Sequence, residues 1–288
     1  MNYILFTDSN SDIPYQEVER YDLHIAYMPY QLDDAEHVSD LGRGDVIPSF
    51  YAAMRAGKTP TTSMLTPERY VGYFEPFLAE GQDILFLCFS SGLSSTYNSA
   101  QVAQRELAEK YPERRLVVID TCNVSMGEAY LAMEAGKMRL AGASLEEVAA
   151  WVEAHKYNVR YWFTVDDLVY LKRGGRVSPA VALIGTMLNI KPVMHVDDEG
   201  HLIKVSQARG RKASLKAIVD QYDALALTPN EGTVFICHGD CMDDAQRLAG
   251  MVRDKHGVEV KLITYTGTVI GAHSGPGTLA LFFLGKHR

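Results

Sequence analysis

Short apolar runs alternate with segments of helical spacing along most of this chain, and that alternation limits its fold more than any other feature. Residues 84–88 (Ile-Leu-Phe-Leu-Cys) and 116–120 (Leu-Val-Val-Ile-Asp) read as strands, and helical stretches separate and follow them. Continuous apolar runs suit strands buried on both faces, and strands joined through helices run parallel. The order predicts an α/β protein with a mostly parallel, doubly wound sheet in its first half. In such sheets ligands bind at the carboxyl edge, where strands hand over to helices.

The remaining elements follow from spacing and punctuation. Residues 3–6 and 24–30 read as strands, and 46–56 as a helix stopped by Gly57. Thr66 caps and Pro67 opens a helix to about residue 78; others are expected over 100–107, 125–140 and 144–155. A second block begins with a strand at 161–165 and a short helix at 166–171 that ends in Lys172-Arg173-Gly174-Gly175-Arg176. An apolar helix is expected from Ser178-Pro179 to Leu188, then strands at 190–195 and 202–207 paired about a turn at 197–200. Helices at 209–222 and 242–256 and strands at 233–237 and 258–264 follow, and His273 is expected in a glycine-rich loop just before another helix.

Composition narrows the function. Of the 288 residues 47% are hydrophobic and 22% charged, ordinary for a folded globular chain. A net charge of −8 argues against nucleic acid and anionic membrane as partners. Four cysteines (Cys88, Cys122, Cys237, Cys241) suit a reduced, cytoplasmic protein. Cys237 to Cys241 lacks a second knuckle, so no metal is expected. Neither a signal peptide nor an apolar run long enough for stable membrane insertion is expected.

The strand at 84–88 runs into Phe89-Ser90-Ser91-Gly92-Leu93-Ser94-Ser95, which places hydroxyls and a glycine before a helix. This is either an anion site or simply a capped helix. Thr61, Thr62 and Ser63 set more hydroxyls before the helix at Pro67. Gly57-Lys58-Thr59 is not a phosphate loop, because Ala52 stands where that motif needs glycine. Asp8 reads as a turn carboxylate bonded to backbone N–H groups. Arg173 and Arg176 flank the Gly-Gly turn, and Arg209, Arg211 and Lys212 flank Gly210. These clusters either complement helix ends or form a docking face. Neither Gly-x-Ser-x-Gly nor His-Glu-x-x-His occurs, which weakens a hydrolase reading.

Thr7-Asp8-Ser9, Thr62-Ser63, Ser90-Ser91-Gly92-Leu93-Ser94, Lys172-Arg173-Gly174-Gly175-Arg176, Lys191-Pro192 and His273-Ser274-Gly275-Pro276-Gly277 occur in that order. Together they resemble the DegV family of bacterial fatty-acid-binding proteins, over nearly the whole chain. Two positions depart from its usual pattern: Leu65 stands for a proline, which bears on the loop's shape, and Ser95 for a glycine, beside the expected head group. The resemblance implies two α/β domains, residues 1–157 and 158–288, with a long-chain fatty acid as ligand in the cleft between them and no cofactor. It implies a carboxylate held by Thr62 and Ser94 with His273 close by, and Ser63, Ser95 and Gly92 shaping the loops around it. It further implies a non-enzymatic carrier that presents the carboxylate to a separate ATP-dependent fatty acid kinase for acyl-phosphate formation in lipid synthesis. Arg173, Arg209 and Arg176 are the docking candidates, with Arg176 alternatively tying the Gly-Gly turn to the fold. A second reading is a small-substrate enzyme, since the fold also resembles the substrate-binding half of dihydroxyacetone kinases; there His273 would carry a covalent adduct. A third is an acyl hydrolase using Ser94 and His273.

Overall fold

The computed structural model describes residues 3–178 and 189–288. The helix expected from Pro179 to Leu188 lies outside the described residues.

In chain order the first half contains β1 (Tyr3–Asp8), α1 (Tyr15–Arg20), β2 (His24–Ala26), β3 (Pro29–Leu32), β4 (Ala35–Val38), α2 (Val46–Arg55), β5 (Thr61–Thr62), α3 (Pro67–Ala79), β6 (Asp83–Cys88), α4 (Thr96–Lys110), β7 (Leu116–Asp120), α5 (Met126–Leu140) and α6 (Leu145–His155). The second half adds β8 (Val159–Thr164), α7 (Val169–Arg173), β9 (Ile190–Val196), β10 (Leu202–Arg209), α8 (Arg211–Leu225), β11 (Val234–His238), α9 (Met242–His256), β12 (Leu262–Tyr265), α10 (Thr268–Ser274) and β13 (Leu279–Leu284).

The first sheet has the order β2-β1-β6-β7 and is wholly parallel, as the apolar runs require. Its outer face carries α3 and α4, whose Tyr70, Phe74, Ala103 and Leu107 pack on Phe6, Ile84 and Phe86. The second sheet has the order β10-β9-β8-β13-β11-β12, antiparallel except for the β11–β12 pair. There α8 and α9 cover the outer face through Leu215, Ile218, Leu248 and Val252. Between the sheets lies α5, whose Met126, Ala129, Leu131 and Ala135 are fully buried. One core joins Leu85 and Leu87 of the first sheet, this helix, and Tyr161, Phe163 and Phe282 of the second. The helix is buried on most sides, and its burial takes in Glu128, which accepts from Thr7 Oγ1 at 2.6 Å, and Arg139, which pairs with Asp22 at 2.7 Å.

The structure corrects the expected strand at 24–30. It is two strands in different sheets: β2 pairs with β1, whereas β3 turns away to pair with β4 and β5. At the switch the amides of Tyr27 and Met28 donate to side chains, Tyr73 Oη (3.0 Å) and Ser9 Oγ (2.9 Å), instead of to a ladder. The strand expected at 258–264 starts later, at Leu262; Val258 is buried, but pairing begins only where Lys261 N donates to Val234 O. His273 is not in a loop before a helix. It lies in the last turn of α10, and a strand follows. Gly271 is what lets this helix form there, because a Cβ would stand 2.5 Å from Tyr51 Oη of α2.

Candidate functional site

A cavity of about 480 Å³ opens between the two sheets. Ligand pockets commonly fall within about 300–1,000 Å³. One wall comes from the first half (Phe89, Leu93, Val124) and another from the second (Phe163, Ile270, Phe282). Strands β8 and β13 supply the second wall because alternate residues face the same side; Leu281 pairs with Trp162 and both belong to the outer core, while Phe282 and Tyr161 face inward.

Polar groups gather around one pair. Thr62 Oγ1 lies 2.7 Å from His273 Nε2, which joins β5 to α10. The other side of the imidazole rests on Gly174, where a Cβ would be 2.0 Å from Nδ1. The next basic residue, Arg176, turns its Nε to Leu93 O at 3.1 Å and its Nη1 to Gly174 O. It therefore ties the Gly-Gly turn to the serine loop and lines the cavity as well. Burial, with the Arg176 charge adding to it, pushes His273 down to about 4, so the ring is neutral near pH 7.

The serine loop behaves differently from a simple cap. Ser95 occupies the N-cap of α4 but makes no side-chain capping bond, and its side chain is exposed. The hydroxyl of Ser94 instead accepts from Thr96 N at 3.2 Å and lies 2.7 Å from Thr96 Oγ1. That turn points Ser94 at the cavity, which it lines with Ser63, Ser95 and Arg173. Gly92 is not part of the lining: a Cβ there would meet Glu199 O at 2.4 Å, so it admits the β9–β10 turn, where Ser90 Oγ donates to Gly200 O at 3.1 Å. Arg209 is also outside the lining, exposed at the end of β10. Leu65 is 1% exposed and packs with Tyr70 and Phe74, so it fills core that a proline would fill less. Asp8 is a turn carboxylate: it accepts from Asn10 N (2.9 Å) and Phe89 N (3.1 Å).

Ser94 and His273 do not form a nucleophile–base pair, because the imidazole nitrogen is taken by Thr62 and the Ser94 hydroxyl by Thr96. Sequence reasoning missed Arg176 as a cavity residue, and Gly174 as the seat of the imidazole. The Lys-Arg-Gly-Gly-Arg run carried a signal for both, but its spacing alone could not orient a guanidinium.

The family described as "Uncharacterised protein, DegV family" matches residues 3–286. The chain belongs to the DegV family. A DegV domain-containing protein of Clostridium perfringens is 42% identical over 283 residues, 98% of this chain and 97% of that one. A solved DegV family protein of Thermus thermophilus, described by its fatty acid binding, is 30% identical with a TM-score of 0.87, over 99% of this chain and all of that one. A DegV lipid-binding protein of Thermotoga maritima is 28% identical with a TM-score of 0.86, and each chain is covered completely. Among the described residues no helix is long and apolar enough to cross a membrane.

Proposed function

We propose that this protein binds one long-chain fatty acid in the inter-sheet cavity and presents the carboxylate to a separate ATP-dependent kinase. The observation that carries the reading is the cavity of about 480 Å³, apolar on its long walls, with hydroxyls, a neutral imidazole and a guanidinium collected around the Thr62–His273 pair. The fatty-acid-binding description of the Thermus relative supports it. On this reading the cavity is the cleft between two domains, residues 1–157 and 158–288, and the protein acts in the cytoplasm.

The chemistry divides between tail and head. Each buried methylene contributes about 0.8 kcal/mol, so a dozen give roughly 10 kcal/mol before ordering costs. The head group then sets orientation. With its proton on Nε2, neutral His273 donates to Thr62 Oγ1, which frees the threonine hydroxyl to donate to a carboxylate. Ser94 supplies a second hydroxyl and Arg176 the compensating charge. Hydroxyl donors also tolerate an acyl phosphate without attacking it, as a carrier requires. No ATP site is needed in the carrier, since the kinase supplies the nucleotide and the phosphoryl transfer.

Native mass spectrometry of the purified protein, before and after addition of oleate or palmitate, tests the reading. A one-to-one adduct of fatty-acid mass is expected. A protein that stays free of lipid under both conditions overturns it.

A further inference from the structure

We propose that Asp12 is a positioning residue for His273: from the first half of the chain, its carboxylate holds the start of the short helix that carries the imidazole. The geometry stands without a ligand, while its consequence for lipid retention rests on the fatty-acid reading above.

Helix α10 has seven residues, too few to persist without external support. Besides the backbone bond from Thr266 N to His238 O at 2.8 Å, two side chains far away in sequence hold its start. Gly267 N donates to Asp12 Oδ1 at 2.8 Å, and Tyr51 Oη donates to Thr266 O at 2.9 Å. Both partners come from the first half, and both are buried. The fit to Asp12 requires glycine, because a Cβ on Gly267 would lie 2.6 Å from Oδ1.

The second carboxylate oxygen reaches the other side of the cavity wall. Ser125 Oγ donates to Asp12 Oδ2 at 2.5 Å. Ser125 has φ 57° and ψ −141°, a costly conformation for serine, and its hydroxyl does not cap α5. Asp12 itself has φ 55°. Thus two residues in unfavourable backbone conformations meet through their side chains, which indicates a contact the fold enforces. Ser125 and Thr266 both line the large cavity, whereas Asp12 is 6% exposed and stands directly behind them. It can therefore place wall residues without touching what the cavity holds.

His273 tolerates little displacement. It is fixed between Thr62 Oγ1 on one edge and Gly174 on the other. A shift of the helix start propagates along two turns to this pair. A carboxylate suits the task because it accepts along two directions at once. An asparagine keeps the oxygen that faces Gly267, and the Ser125 hydroxyl can rotate to accept from its amide. An alanine leaves a buried N–H without a partner.

The test compares Asp12→Asn, Asp12→Ala and Tyr51→Phe with wild type in two measurements. The first is the NMR signal of the His273 ring in lipid-free protein, assigned by its loss in His273→Ala. Asp12→Ala is expected to move it and Asp12→Asn to leave it near the wild-type position. Tyr51→Phe, which stands in if Asp12→Ala does not fold, is expected to move it in the same direction by less. The second is the release rate of bound oleate. Asp12→Ala is expected to release about tenfold faster, the scale of one charge-assisted hydrogen bond. It should add nothing in a His273→Ala background. An unmoved His273 signal in the folded variants, or fully additive release rates, overturns the proposal and leaves Asp12 a purely structural residue. If the signal moves but wild type takes up no oleate, the fatty-acid reading falls and the positioning role stands.

Discussion

Thr62 and His273 are 211 residues apart in the chain, yet Oγ1 and Nε2 lie 2.7 Å from each other at the polar end of the cavity. If this pair and Ser94 hold a carboxylate, Thr62→Ala and Ser94→Ala should each weaken oleate binding by about 1–3 kcal/mol, the cost of losing one bond to a charged group. Calorimetry should show that the double variant still binds through the tail. Ser94→Ala should also lower thermal stability more than Thr62→Ala, because it removes the acceptor for Thr96 N in the first turn of α4. Wild-type affinity in the double variant would remove both hydroxyls from the site.

Gly174→Ala offers a test that leaves the backbone unstrained. Gly174 has φ −74°, which any residue adopts, but its Cβ would sit 2.0 Å from His273 Nδ1. The ring must swing away from Thr62. Oleate affinity should fall by about as much as in His273→Ala, and the two changes should not add. Additive losses would show that the methyl group acts elsewhere in the cavity.

Opposed titrations should govern stability in acid. Burial pushes His195, His238 and His273 each down to about 4. Between there and the unfolded value of about 6.5, the unfolded chain binds protons that the folded one does not, so this contribution is lost as pH falls. Burial raises Asp8 and Asp12 to about 7. Their contribution runs the other way: it is present below the unfolded value of about 3.9 and is lost as pH rises through about 7. Asp12→Asn removes one of these opposing groups. Its melting temperature relative to wild type should therefore rise between about pH 5 and pH 7.5. A difference that stays constant, or falls, would contradict the assignment of a raised value to Asp12.

The hairpin turn of β9–β10 closes on the serine loop with no room for a side chain. Gly92→Ala would drive its methyl group into Glu199 O, a backbone atom 2.4 Å away. Overpacking of this kind costs about 1–3 kcal/mol. Urea denaturation should show that loss, and limited proteolysis should find the 197–201 turn more open. An unchanged midpoint would mean that the turn yields without cost.

The parts of this molecule legible in its sequence are those where one local pattern decides the outcome. Residues 84–88 and 116–120 could be assigned because buried parallel strands leave continuous apolar runs. Thr66-Pro67 marked the start of α3, and its hydroxyl does accept from Arg69 N at 3.5 Å. The break between β2 and β3 was not legible, since it depends on Tyr73 and Ser9 capturing two amides from distant positions. The glycines around His273 signal a close approach, and Gly271 does serve close packing on Tyr51, but the glycine-rich composition reads as a loop where a short helix forms. The hydroxyl-bearing loops could be identified by composition and by family pattern. Their convergence on one cavity, and the turning of Arg176 into it, are tertiary facts that no spacing encodes.

If the protein presents its ligand to a kinase as proposed, docking can be separated from lipid binding at Arg209. This residue ends β10 opposite Ile190, is exposed, and forms no ion pair among the described residues. Its neighbour Arg211 is engaged internally, with Nε 2.8 Å from Asp244 Oδ2, so it is a poorer docking group. Arg173 is ambiguous in a useful way: it lines the cavity mouth, with Nη1 3.3 Å from Thr59 Oγ1 and its guanidinium over Tyr170. Reversing its charge puts a carboxylate near the head group, so Arg173→Glu should reduce both oleate binding and acyl-phosphate formation. Arg209→Glu should keep oleate affinity, because nothing in the cavity depends on it. It should slow phosphorylation by the cognate kinase, and the remaining rate should be more sensitive to salt, as expected when a surface charge steers two proteins together. Both readouts are needed on one preparation: lipid content by mass spectrometry, and acyl-phosphate formation with kinase and ATP. Wild-type phosphorylation by Arg209→Glu would place the docking face away from β10, and normal lipid binding by Arg173→Glu would show that the head group lies deeper than the mouth.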